Sequence, residues 1–337
     1  LHPARPVLHK ETMDPTDLVD LADERLGGAV LYANDEFFAP KEGLLKAERA
    51  VFLPHEYTER GKWMDGWETR RRRSPGHDEC LVRLGVPGTV RAVVVDTAFF
   101  KGNYPERCAL DGCFARSDAG VDELLGAGTE WFPLLSEVAL QGDHENVFPL
   151  EASPAVSHVR LRIFPDGGVA RLRVRGVVLP DFRRLGGVGA VLDVASLEAG
   201  GRVLACSDMF FGPKHNLILP GASRSMADGW ETRRRRGPGN DWVIVELTGA
   251  AELERVEIDT SHFKGNAPGA CLLEGLDASA GEPSVAQRIA DDHGLWRELL
   301  PKTKVHPHTG HVYVEELAPV GPVTHLRLSV FPDGGVA

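Results

Sequence analysis

The chain has 337 residues, 42% hydrophobic and 26% charged, with a net charge of −11. That is length for two ordinary domains, each with its own core, and a surface field that repels polyanions, so nucleic acid is not an expected partner. No apolar run reaches the length of a bilayer-spanning helix, and the five cysteines form no CxxC pair, which excludes a membrane-spanning helix and a paired-thiol metal or redox motif.

In chain order, residues 1–12 read as an amino-terminal extension expected to be poorly ordered, without an apolar signal-peptide core. With reduced thiols this points to a cytoplasmic protein. The first domain is expected over 13–179. It opens with GGAVLYANDEFFAPK (27–41), followed by DGWETRRRR (65–73), the alternating strand VRAVVVDT (90–97), the turn FKGN (100–103), a short helical stretch from Asp118 to Leu125, and the strand and turn HVRLRIFPDGG (158–168).

After a linker near Pro180, the order repeats over 180–337. GGRVLACSDMFFGPK (200–214) precedes a second, identical DGWETRRRR (228–236), then WVIVEL (242–247), VEIDT (256–260), FKGN (263–266), a helical stretch Val285–Asp292 and HLRLSVFPDGG (325–335). The offset is 173 before the arginine string and 163 at it, so the first copy carries ten extra residues between Leu44 and Asp65, expected as a surface loop. Period-2 strands joined by Gly, Asn and Asp turns, with little helix, predict an all-β chain. The fold class is two tandem jelly-roll β-sandwich domains, galactose-binding-like, from an internal duplication.

An extended DGWETRRRR places guanidinium groups on both faces, and any that turn inward need carboxylates such as Asp65, Glu68, Asp96 or Asp166. Arginine forks suit a small planar anion. Lys101 and Asn103 of the first FKGN could face the same ligand, whereas FPDGG reads as turn chemistry alone. His158 and His325 open matching strands and are candidates for proton transfer. HPHTGH offers His306, His308 and His311 as weak metal candidates, in the second copy only, against an exposed loop as the plainer reading.

These duplicated strings, with LADERLGGAVLYANDEFFAPKE (21–42), resemble the allantoicase family from about Met13 to Ala337. The resemblance implies two jelly-roll repeats, a homo-oligomer, and hydrolysis of allantoate, a small carboxylate with two ureido arms, to ureidoglycolate and urea in purine degradation. Carried onto this sequence, Glu68, Glu231 and His325 are the candidate catalytic groups. Asp65, Arg70, Arg72, Lys101 and Asn103, with Asp228, Arg233, Arg235, Lys264 and Asn266, are the candidate substrate contacts. No cofactor is specified and a divalent metal is left open. If one repeat alone is active, Ser261-His262 and the histidine cluster favour the second. The competing reading is a sandwich module that binds carbohydrate or a small anion without catalysis.

Overall fold

The computed structural model describes residues 18–182, 185, 189, 191–278 and 294–337. The amino-terminal extension and the helical expectation at Val285–Asp292 lie outside them. The described residues are nearly all strand, turn and short 3-10 helix, with one α-helix, Val121–Leu125, where the helical stretch was expected. They divide into two units, the first ending at Leu179 and the second starting at Pro180.

The first unit is a two-layered antiparallel sandwich of jelly-roll type. One layer runs Ala29–Ala33, the first part of Asp78–Asp96, Ala155–Phe164, Arg107–Cys113 and Phe132–Ala139. The other runs Val19–Asp20, Arg171–Val178, the second part of Asp78–Asp96 and Glu145–Pro149. The nineteen-residue strand Asp78–Asp96 therefore belongs to both layers. It turns the corner at Gly85-Val86-Pro87-Gly88, where its pairing with the strand Ala155–Phe164 slips between Val156 and His158. Such a strand closes an edge that would otherwise stay open. A Cβ on Gly88 would lie 2.4 Å from the Val177 carbonyl oxygen, so a side chain at this corner would push the layers apart.

The second unit repeats the first layer in the same order: Arg202–Cys206, Asp241–Ala251, Val323–Phe331, Ala270–Leu276 and Arg297–Lys304. Its second layer contains Val256–Asp259 paired with Gly310–Tyr313. The five segments whose alternation predicts strands all lie on these ladders. Alternation works because one face of each strand is sealed: Val93, Val95, Leu161 and Ile163 are fully buried in the first unit, and Val243 and Val330 in the second. None of the five cysteines is in a disulfide, and four are buried. Among the described residues no helix is long and apolar enough to cross a membrane.

Candidate active site

At one end of the first sandwich the three duplicated strings meet. Trp67–Glu68 forms a two-residue strand against Gly168–Val169 of the FPDGG turn. The Gly168 N–H donates to the Asn103 carbonyl at 2.7 Å, and the Asn103 side-chain amide returns to Glu68 Oε1 at 2.7 Å. Gly168 has no room for a side chain, since a Cβ there would sit 2.0 Å from the buried Phe100 ring. Asn103, open on sequence between capping its own turn and facing a ligand, joins the carboxyl group.

Most of the arginine string serves the fold. Trp67 is fully buried and donates its indole N–H to the Asp35 carbonyl at 2.7 Å, and the Thr69 hydroxyl oxygen accepts the Gly167 N–H at 3.1 Å. Arg70 pairs with Asp35 at 2.7 Å, outside the site. Arg72 pairs with Asp78 at 2.6 Å, while its backbone N–H donates to Asp166. The part-buried Arg72 does find a carboxylate, but at Asp78, and the exposed Arg70 finds Asp35; of the expected partners Asp65, Glu68, Asp96 and Asp166, only Asp166 is engaged by either, through the Arg72 backbone N–H. The second unit repeats the pattern: Trp230 on the Asp208 carbonyl, Thr232 with Gly334, Arg233 on Asp208, and Arg235 on Asp241 with its backbone N–H on Asp333. Asp65 is likewise an anchor. Its oxygens take Lys46, Arg171 and the Val51 N–H, which tethers the inserted segment to the sheet. Burial would raise the Asp65 pKa, but the Arg171 and Lys46 hydrogen bonds outweigh it and hold the carboxyl below its ordinary value. Asp228 accepts the Arg224 and Ser225 N–H groups and so caps its own turn.

Glu68 differs. It is 9% exposed and faces a cleft of about 580 Å³ lined by Phe38, Phe52, Lys62, Met64, Phe99, Lys101 and Asn103, with Gly61 and Gly102. Burial raises its pKa above the ordinary glutamate value, and the Asn103 hydrogen bond only partly offsets this. The half-apolar wall therefore shifts the carboxyl towards its protonated form relative to an exposed glutamate. Phe99 holds a left-handed backbone (φ 69°), fixed by its N–H donating to Asp143 Oδ1 at 2.7 Å, and its ring stacks on Phe52 at 5.5 Å. Lys101 is largely exposed, 3.6 Å from Asp143.

The second unit keeps Glu231 and Asn266 hydrogen-bonded, but its shorter connection runs differently. The His262 ring, in the place of Phe99, lies 2.9 Å from the Ser223 carbonyl, and Met226 Sδ lies 3.8 Å from the Asn266 amide. The expectation that favours the second copy rests on His262 and the histidine cluster, and the cleft described above lies in the first unit.

The histidines are explained by the same comparison. His308 accepts the His262 N–H as Asp143 accepts that of Phe99. His311 accepts the His306 N–H and reaches the Ile258 carbonyl, as Asn146 does for Gln141 and Val95. They are ring-for-amide and ring-for-carboxylate replacements, and among the described residues no group of three or more His, Cys, Asp or Glu could hold a metal ion. His325 does not reach the acid. It pairs with Glu246 and Leu276, six residues along the strand from Phe331, roughly 20 Å at about 3.3 Å per residue from the end that carries Glu231. Burial chiefly lowers its pKa and that of His158, so both are neutral sheet residues.

The allantoicase repeat family model matches residues 19–179 and again 192–337. The chain belongs to the allantoicase family. It is similar to a probable allantoicase of Pseudomonas aeruginosa (strain UCBPP-PA14), 46% identical over 319 residues that cover 95% of this chain and 93% of the relative. The probable allantoicase of Photobacterium profundum is 44% identical over 95% of this chain and 94% of its own. The crystal structure of allantoicase from Saccharomyces cerevisiae superposes with a TM-score of 0.79 at 30% identity, covering 94% of this chain and 90% of that one.

This allantoicase chain is thus a hydrolase with a small-molecule substrate, in which Glu68, Lys101 and Asn103 share one cleft, and Asp65, Arg70 and Arg72 stand outside it. Phe52 and Lys62 escape the sequence reading because the inserted segment has no second copy to mark it. Phe38 lies inside a duplicated string but looks like a packing residue, and Phe99, just before FKGN, has His262 in its place in the second copy.

Proposed function

We infer that the chain carries out the allantoicase reaction, hydrolysis of allantoate to ureidoglycolate and urea in purine degradation, in the cleft of its first unit. The carrying observation is Glu68, whose carboxyl group faces the cleft rather than the fold and is shifted by burial towards its protonated form. With Asn103 donating to Oε1, the acidic proton resides on Oε2, available to the nitrogen of the departing urea. Glu68 is the one carboxylate among the lining residues, and none of them is a histidine. An elimination and addition therefore fits better than two separate catalysts. The remaining ureido nitrogen expels urea as the central C–N bond breaks and Glu68 gives up its proton. Water then adds to the carbon of the resulting protonated imine, which keeps its own N–H, and the proton released from the water returns to Glu68. Atoms balance as allantoate plus water giving ureidoglycolate plus urea, and the bond cleaved is a linear ureido carbon–nitrogen bond.

Lys101 at the rim, and Asn103 beside the acid, are the substrate contacts kept from the sequence reading. Glu231, Lys264 and Asn266 form the second unit's remnant of the same arrangement, without catalysis. The chain works in the cytoplasm, consistent with five cysteines outside any disulfide, and assembles as a homo-oligomer, which light scattering tests directly. For the site itself, urea and ureidoglycolate release are followed together. Glu68→Gln lowers kcat by about 100-fold or more, the range for a lost general acid, while Glu231→Gln keeps more than half the rate. Wild-type turnover in Glu68→Gln removes the assignment.

A further inference from the structure

The wall of the cleft opposite to what the duplicated strings supply comes from the inserted segment, and one of its charges is unbalanced. Lys62 is half-buried, and its ammonium lies 4.6 Å from the Phe52 ring centroid and 5.4 Å from that of Tyr57. Nζ donates to the Pro54 carbonyl at 3.0 Å. An ammonium carries three donors, so two remain. Among the described residues no carboxylate pairs with Lys62, whereas Lys46 has Asp65, Lys41 has Glu36 and Glu42, and Lys101 has Asp143. The arginines expected to hold an anion, Arg70 and Arg72, are already paired. Lys62 therefore offers the cleft a cation that no protein carboxylate among the described residues neutralises.

We propose that Lys62 holds the carboxylate of the substrate and is the residue that selects an anionic ureido acid over its uncharged counterparts. This rests on the cleft being the active site. The two aromatic rings flank the ammonium and limit its swing, which reduces the conformational entropy lost when a ligand binds. The segment itself is fixed at its base by Asp65 and along its length by Arg60, which donates to the Phe37 carbonyl at 3.0 Å. The second unit, ten residues shorter here, carries no equivalent ammonium: Ser225 follows in its place and belongs to a capping box. A cation supplied by the insertion therefore accounts both for recognition and for the restriction of recognition to the first unit.

The test compares allantoate with its carboxamide in steady-state kinetics of the full chain carrying Lys62→Met, Lys62→Arg or Glu68→Gln, with thermal midpoints recorded for each. Lys62→Met is expected to raise KM for allantoate at least tenfold, about 1.4 kcal/mol, with kcat changed less than threefold. It also erases the preference for allantoate over the carboxamide, and Lys62→Arg restores KM to within threefold. Such a KM change at constant kcat marks binding shared by ground and transition states. An unchanged KM in Lys62→Met overturns the proposal. So does a KM raised equally for both compounds, which would mean that Lys62 merely shapes the segment. Glu68→Gln separates the two assignments: full activity there removes the cleft reading itself, whereas loss of kcat there with no Lys62 effect removes only the role of Lys62.

Discussion

Removing Arg72 should harm the fold and spare the substrate. Its partner Asp78 is 2% exposed and has one other side-chain donor, the Asn34 amide at 3.0 Å. Arg72→Ala therefore strands a buried carboxylate. Breaking a buried pair from one side costs about 3–5 kcal/mol, and since a quarter of the Arg72 side chain is exposed, water reaches the gap and the lower end applies, about 3 kcal/mol. For a unit of this size a urea slope of about 2 kcal/mol/M turns that into a midpoint shift of about 1.5 M. Arg70→Ala breaks a pair whose arginine is 64% exposed and leaves Asp35 its backbone donors, so it should cost under about 1 kcal/mol. Urea unfolding followed by tryptophan fluorescence reads both, with Arg235→Ala marking the transition of the second unit. A midpoint unmoved in Arg72→Ala, together with a tenfold rise in KM for allantoate, would refute the argument and return the arginine to the substrate.

Glu68 should also show that the site weakens the fold. Because burial raises its folded-state pKa, the folded state binds a proton more tightly than the unfolded one, and the acid's contribution is most favourable at low pH and declines as pH rises through the folded value. Glu68→Gln should then raise the thermal midpoint at pH 8 and leave it unchanged at pH 4, while wild-type kcat falls on the alkaline limb as the acid ionises. His158 and His325 have lowered values, so the stability they permit is present above about pH 6.5 and is lost as pH falls below it; His158→Gln should flatten that acid limb in scanning calorimetry. Gly168→Ala should yield little soluble protein, its new methyl colliding with Phe100, as should Gly335→Ala against Phe263. His308→Asp with His311→Asn, which copies the first unit, should keep stability within about 1 kcal/mol of wild type, since the backbone donors keep their acceptors.

Strand content and duplication are legible in the sequence because sealed faces impose a period of two and because the copies can be laid on one another. The contact between Glu68 and Asn103 is half legible too, since each stands in a repeated string. The arginines mislead because alternation says which face a side chain takes but not that Asp35, 35 residues upstream of Arg70, and Asp78, at the first position of the next strand, are waiting for them. HPHTGH misleads because spacing alone cannot distinguish a ligand from an imidazole that does the work of an asparagine. Lys62 and Phe52 are silent in sequence for the opposite reason, since they occur once.

The nine identical residues of the two strings have a consequence for descent after duplication. With Trp67, Thr69, Arg70 and Arg72 bound to framework partners that recur at Trp230, Thr232, Arg233 and Arg235, selection for a foldable chain alone suffices to keep these positions alike. Identity between the halves is then blind to which half works. The change that matters is one of loop length, ten residues between Leu44 and Asp65, so a half of this kind can gain or surrender a binding cleft while its framework stays still.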